Sequence, residues 1–199
     1  MTTASLPRLL DDRVPLAELS AALDGMSHTE RLDALAALTR SQQRQLYEAA
    51  ADAPPLTLEA FVGTEARLVV PHRGYNTLPL PAVGRRFTKW MCRQPDGGVA
   101  GWNDAPAAWL IGPGYFTLRA TQGDETAHGG VVVDYYRTPS RDGMPDHWPW
   151  IRPNWLGLQA FVYGWCHDYM RPVSQHVTIG AAYKWGRSVG SWFVLCRED

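Results

Sequence analysis

From residue 15 onward the apolar positions fall at helical spacing. Pro15 suits a first helical position, and Leu16, Leu19 and Leu23 follow before Gly25 ends the run. Ser27-His28-Thr29-Glu30 is a capping-box pattern, in which the serine accepts from the amide three residues on and the glutamate reaches back. The helix it opens carries Leu32, Leu35 and Leu38 on one face. Ser41 is placed to cap a third piece with Leu46 and Tyr47, ending before Pro54-Pro55. Met1 to Val14 reads as a loose lead-in. The pattern predicts a helical arm over residues 1–55, with an apolar stripe that must be covered by the rest of the chain, a twin subunit or a protein partner.

After Pro55 the period shortens to two. Runs bounded by turn residues predict strands at Arg67–Val70, Phe87–Arg93, Val99–Trp102, Tyr115–Thr121, Val131–Arg137, Val173–Tyr183 and Val189–Arg197. Turns are expected at Gly74-Tyr75-Asn76, Asp96-Gly97-Gly98, Gln122-Gly123-Asp124 and Trp185-Gly186. Gly112-Pro113-Gly114 reads as a bulge and Gly129-Gly130 as a hairpin turn, since neither opens a helix that could bind phosphate. One segment departs from this pattern: Leu158, Phe161, Val162, Trp165 and Tyr169 share a helical face, with Asn154 as cap and Pro172 as stop. The fold class expected is therefore α+β, a helical N-terminal arm on a mostly antiparallel, curved β-sheet or barrel with one later helix. Residues 56–199 form the aromatic-rich β domain, since every tryptophan lies between Trp90 and Trp192.

Composition narrows the class without naming a reaction. A chain of 199 residues, 45% hydrophobic and 20% charged, can build a core without metal or disulfide staples. Cys92, Cys166 and Cys196 are odd in number and lack CxxC spacing, as for reduced thiols, and no leader-like or membrane-spanning apolar run appears. A soluble, cytoplasmic protein is the expectation. The histidines show no metal-ligand spacing and no cofactor motif is present.

The net charge of −1 hides an asymmetry. Between Glu65 and Asp96 there is no acid, but there are Arg67, Arg73, Arg85, Arg86, Lys89, Arg93 and His72; a second acid-free window holds Arg171, Lys184, Arg187 and His176. Segregation of this kind can make an anion site on a near-neutral protein, where a guanidinium binds carboxylate bidentately. Near-neutrality gives little attraction to nucleic acid. Trp148, Trp150 and Trp155 stand in and after a long Pro-rich loop, as a lid or a contact patch. Cys166-His167-Asp168 cannot form a relay as three neighbours, because adjacent side chains diverge on a helix or strand.

The closing run Ser191-Trp192-Phe193-Val194-Leu195-Cys196-Arg197 resembles the last barrel strand of intracellular lipid-binding and lipocalin-like proteins. The resemblance covers those seven residues, and the helical arm departs from the lipocalin pattern. It implies that Arg197 points inward toward a ligand. Three functions follow. The first is a binding domain for an apolar or amphiphilic ligand with an acidic group, using Arg85, Arg86 and Arg197 for the anion and Trp90, Trp109 and Trp165 for the wall. The second is an interaction or scaffold protein using the arm and the Trp-rich loop. The third is an enzyme with His167 or His176 as general base.

Overall fold

The structure is a computed structural model that describes residues 5–65, 68–79 and 81–198. Eight antiparallel strands close a barrel in simple up-and-down order: β1 (Val69–Asn76), β2 (Arg86–Arg93), β3 (Val99–Asp104), β4 (Phe116–Ala120), β5 (Val131–Asp134), β6 (Cys166–Pro172), β7 (Val177–Lys184) and β8 (Arg187–Arg197). β8 pairs back onto β1, with Gly74 opposite Leu195, so no strand edge is left open. The expected start of the first strand at Arg67 lies outside the described residues.

The arm is four helices laid on the outer wall: α1 (Leu6–Asp11), α2 (Leu16–Asp24), α3 (His28–Ala36) and α4 (Arg40–Ala49). Residues 6–11 of the lead-in are helical, with Leu6 and Leu10 one turn apart and both buried, while residues 1–4 lie outside the described residues. Ser27 and Glu30 form the capping box on α3. The next helix is capped by Thr39 rather than Ser41, since Gln42 is the third helical residue after Thr39 and completes the box. Leu19, Leu23, Leu35 and Leu46 pack against Val177, Ile179, Val194 and Cys196 on the outer faces of β7 and β8. The stripe is covered by the chain's own barrel. Polar links fix the arm's position: Gln43 Nε2 donates to the Tyr75 carbonyl at 3.3 Å and Arg171 Nη1 to the Tyr47 carbonyl at 2.7 Å.

The later helix is a single turn, α7 (Gln159–Val162), and β6 begins where the helical reading continued. Trp165 has φ of 57°, which turns the chain out of the helix. From there a period of two takes over. Asp168 and Met170 share the inner face of β6, and Asp168 pairs with Val133 and Ala182. Asn154 caps nothing; its amide donates to the carbonyls of Tyr115 and Tyr135, tying the returning loop to the barrel. Gly74-Tyr75-Asn76 is likewise strand rather than turn. Gly74 is needed there because a Cβ would strike the Phe87 ring and Leu195.

Inward glycines make room for rings elsewhere too. A Cβ at Gly101 would meet the Trp90 carbonyl and the Phe116 ring. Gly101→Ala is therefore expected to cost about 1–3 kcal/mol through overpacking, read as a lower urea midpoint at unchanged slope.

An up-and-down barrel places its odd connections at one end and its even ones at the other. The β2–β3, β4–β5 and β6–β7 end is closed by α5 (Leu58–Val62), which inserts Phe61 and Val62 beneath Val70, Met91 and Leu118. Two inward-register arginines hold that plug by its carbonyls. Arg197 Nη1 donates to Ala60 O at 2.8 Å, and Arg93 Nη2 to Gly63 O at 2.7 Å. The other end, the mouth, carries the β1–β2, β3–β4, β5–β6 and β7–β8 connections, with α6 (Ala108–Ile111) in the second and α7 in the third.

Candidate functional site at the base of the barrel mouth

β2 alternates Phe87, Lys89 and Met91 on its inner face, so the pleat carries a lysine into the barrel. The chain has two lysines, Lys89 and Lys184. Lys89 is 2% exposed. Its Nζ lies 2.9 Å from Asn103 Oδ1, 2.5 Å from the Tyr135 hydroxyl and 3.4 Å from Asp168 Oδ2. Four aromatic rings surround the amine: Phe116 at 4.9 Å, Tyr135 and Phe193 each at 5.1 Å, and Phe87 at 5.6 Å. Each element supplies its part by register. Lys89 pairs with Asn103 across β2–β3, Asp168 comes from β6 opposite, and Tyr135 follows the end of β5.

Burial dominates the electrostatics. It pushes the Lys89 ammonium pKa down, against the pull of Asp168, and it pushes the Asp168 carboxyl up, against Lys89 and Tyr135. Both shifts favour the neutral forms. The four ring faces favour the cation, because an ammonium over aromatic faces is stabilised where it is desolvated. An amine so placed can hold an anionic group, or attack a carbonyl when unprotonated. Tyr135 is also pushed well up, by burial first and then by the Asp168 charge, so it donates rather than ionises.

Below Lys89 the barrel is filled. Met91, Val99, Phe116, Val131, Met170 and Leu195 are all within 1% of complete burial. Above it, toward the mouth, the inward positions Asn76, Phe87, Lys184 and Ser191 are half-buried. At this end Tyr163, from the end of α7, covers Tyr135, stacking on it at 5.4 Å and 19°. Gln159, fully buried, pins this lid: its Oε1 accepts from Gly114 N and its Nε2 donates to Pro153 O. Four surface hollows of about 460–580 Å³ lie outside the barrel wall, along the arm and the returning loop.

The residues singled out in the sequence separate into three places. Arg85 and Arg86 close the β1–β2 connection at the mouth, and Trp109 and Trp165 stand on two other mouth loops, 84% and 41% exposed. Arg197 is at the opposite end, on the plug. Trp90 faces outward, where Trp102, Cys92 and Ala100 are covered by Met144 and Trp148 of the returning loop. The acid-free windows are dispersed in the same way, with Arg73 paired to Glu198 at 2.9 Å and Arg171 spent on the carbonyls of Tyr47, Ala127 and His128.

The histidines do not converge. His167 lies on the outer face of β6, its Nε2 3.3 Å from Asp134, and its ring packs on Tyr136 at 4.6 Å. Burial tends to raise the Asp134 pKa, but hydrogen bonds from His167 and the Tyr136 amide outweigh it and the net shift is downward. His176 is in the β6–β7 turn at the closed end. Among the described residues, no group of three or more His, Cys, Asp or Glu side chains is placed to hold a metal, and no helix is long and apolar enough to cross a membrane.

Comparison with protein-family models, with curated proteins and with solved structures gave no match for this chain. The closed, eight-stranded up-and-down barrel with its arm is therefore read from its own geometry. Lys89, Asn103, Tyr135 and Asp168 were missed as a constellation by sequence reasoning. The usable signal was Phe87-x-Lys89-x-Met91, in which one of two lysines falls in phase with the apolar positions of a strand.

Proposed function

We propose that this protein is a small-molecule binding barrel for an apolar or amphiphilic ligand with an acidic group. The ligand enters at the mouth and its acid reaches Lys89. The observation that carries this reading is the buried Lys89 amine, ringed by four aromatic faces at the base of a half-buried layer. The filled lower barrel confines the ligand to the mouth. Arg85 and Arg86 attract the acid on approach, while Trp109 and Trp165 supply apolar wall. Entry swings Tyr163 aside.

An incoming carboxylate displaces Asp168 as the partner of Lys89. Asp168, whose pKa burial already raises, then takes up a proton. Binding is expected to absorb about one proton and to weaken by up to tenfold per pH unit above the Asp168 pKa in the free protein. Isothermal titration of decanoate and 4-phenylbutyrate, in buffers of differing ionisation heat, checks this. Because Lys89 alone cannot be removed without harm, the control is the charge-neutral pair Lys89→Met/Asp168→Leu. It is expected to bind at least about tenfold more weakly, the loss of one charged hydrogen bond. Equal affinity in this variant, or no binding of either acid to the wild type, would overturn the reading.

A further inference from the structure

Six large, exposed apolar side chains lie on the connections at the mouth end of the barrel. Val83, Trp109, Trp155, Phe161, Trp165 and Trp185 are 68%, 84%, 55%, 81%, 41% and 67% exposed. They come from all four mouth connections, which are far apart in sequence but brought to one rim by the up-and-down topology. Exposed apolar side chains gathered on one rim mark a contact surface. Its residue types narrow the partner, since four of the six are tryptophans, the side chain enriched where hydrocarbon meets water.

Charge points the same way. The rim segments 77–87, 105–115, 149–165 and 184–190 contain Arg85, Arg86, Arg152, Lys184 and Arg187 and not one aspartate or glutamate. Arg86, Arg152 and Arg187 are exposed. Asp142, in the same long connection as Trp155, is carried away: the loop runs down the wall, where Gln94 Nε2 donates to the Asp142 carbonyl near the closed end. Acids border these segments at Asp104, at the end of β3 beside Trp90 Nε1, at Asp134, at the end of β5, and at Asp146, which lines a hollow with Trp150. The outer wall carries Arg119, Asp134, His167 and Arg171, so the barrel cannot sit with its wall in hydrocarbon.

We infer that the mouth rim is a docking surface for an anionic lipid bilayer, touched end-on by four loops. The tryptophans and Phe161 enter the headgroup and acyl boundary while the arginines face acidic headgroups. This inference does not require that the mouth hold a ligand.

The test is flotation of the full chain with vesicles of phosphatidylglycerol and phosphatidylcholine, with tryptophan emission followed in parallel. The wild type is expected to co-float and shift its emission to the blue, to bind pure phosphatidylcholine far more weakly, and to release in about 0.5 M salt, where screening shortens to a few ångströms. Trp109→Ala/Phe161→Ala removes two side chains that the fold leaves in solvent, so its circular dichroism and melting should match the wild type. Its vesicle affinity is expected to fall about tenfold or more, and Arg187→Glu should weaken binding to anionic vesicles alone. No co-flotation of the wild type would overturn the inference, as would unchanged binding by the folded double variant. A concentration-dependent dimer that Trp109→Ala/Phe161→Ala abolishes, without vesicle binding, would overturn it in favour of a second copy.

Discussion

Replacing Lys89 by methionine is expected to destabilise the protein by about 3–5 kcal/mol, while Lys89→Met/Asp168→Leu recovers most of the loss. Lys89 and Asp168 have side chains 2% and 10% exposed, and their closest atoms are 3.4 Å apart. Taking two charges out of water costs more than a pair at that separation returns, so the pair as a unit contributes little. Removing one member is different. Asp168 would then be buried without its cation, left with the Tyr135 hydroxyl at 3.3 Å, and would have to take up a proton or draw in water. Asn103 and Tyr135 would also lose a partner. Urea unfolding of the wild type, both single variants and the double variant closes a double-mutant cycle. A Lys89→Met variant as stable as the wild type would mean that the amine is not buried among these groups.

The second large effect is on the pH dependence of stability. His72 is 2% exposed, sits inside the barrel against Phe61 with ring centroids 4.7 Å apart, and leaves Nδ1 without a hydrogen-bond partner. Burial first, helped by the charges of Arg197 and Lys89 and opposed by the backbone groups of Val70 and Phe61, presses its pKa down to about 3. The unfolded chain protonates the same ring near its ordinary value of about 6.5. Between those values the unfolded state binds the extra proton, so stability is full above pH 6.5 and falls as the pH drops, at up to about 1.4 kcal/mol per unit. Urea curves from pH 7 to 4.5 should lose about 2–3 kcal/mol from this group. His72→Phe should remove that slope. The difference between the two proteins isolates it, because Asp168 and Glu125 titrate in both. Parallel curves would show that His72 is charged, or reaches water, in the folded protein.

The arm was legible because its signals are local. Ser27, Glu30 and the leucines that follow act within one or two turns, and no distant residue can change them. The strands were legible where side chains alternate against a filled interior, as at Phe87 to Arg93 and Val189 to Arg197. Residues 158–169 misled because an apolar run that straddles a helical turn and a strand imitates one long helical face. The positive φ at Trp165 separates them, and Trp185, distant in sequence, stacks on that residue at 6.0 Å. The site was harder still. Lys89, Asn103, Tyr135 and Asp168 are spread over 79 residues, and only closure of the barrel brings their tips together. The arginines stand out in the sequence by charge alone, but Arg197 and Arg93 hold a helix by its carbonyls, a use that a count of charges does not contain.

The most direct test of the binding reading uses the scarcity of lysine. With ¹³C,¹⁵N-lysine labelling, the side-chain NMR spectrum contains two lysines, and Lys184→Arg assigns them. Lys89 is expected to titrate below the usual lysine range, as its buried setting requires, and to shift on addition of decanoate while Lys184 moves less. A Lys89 resonance that titrates like a solvent-exposed amine, or that stays fixed as decanoate saturates the protein, would contradict a ligand acid bound at the base of the mouth.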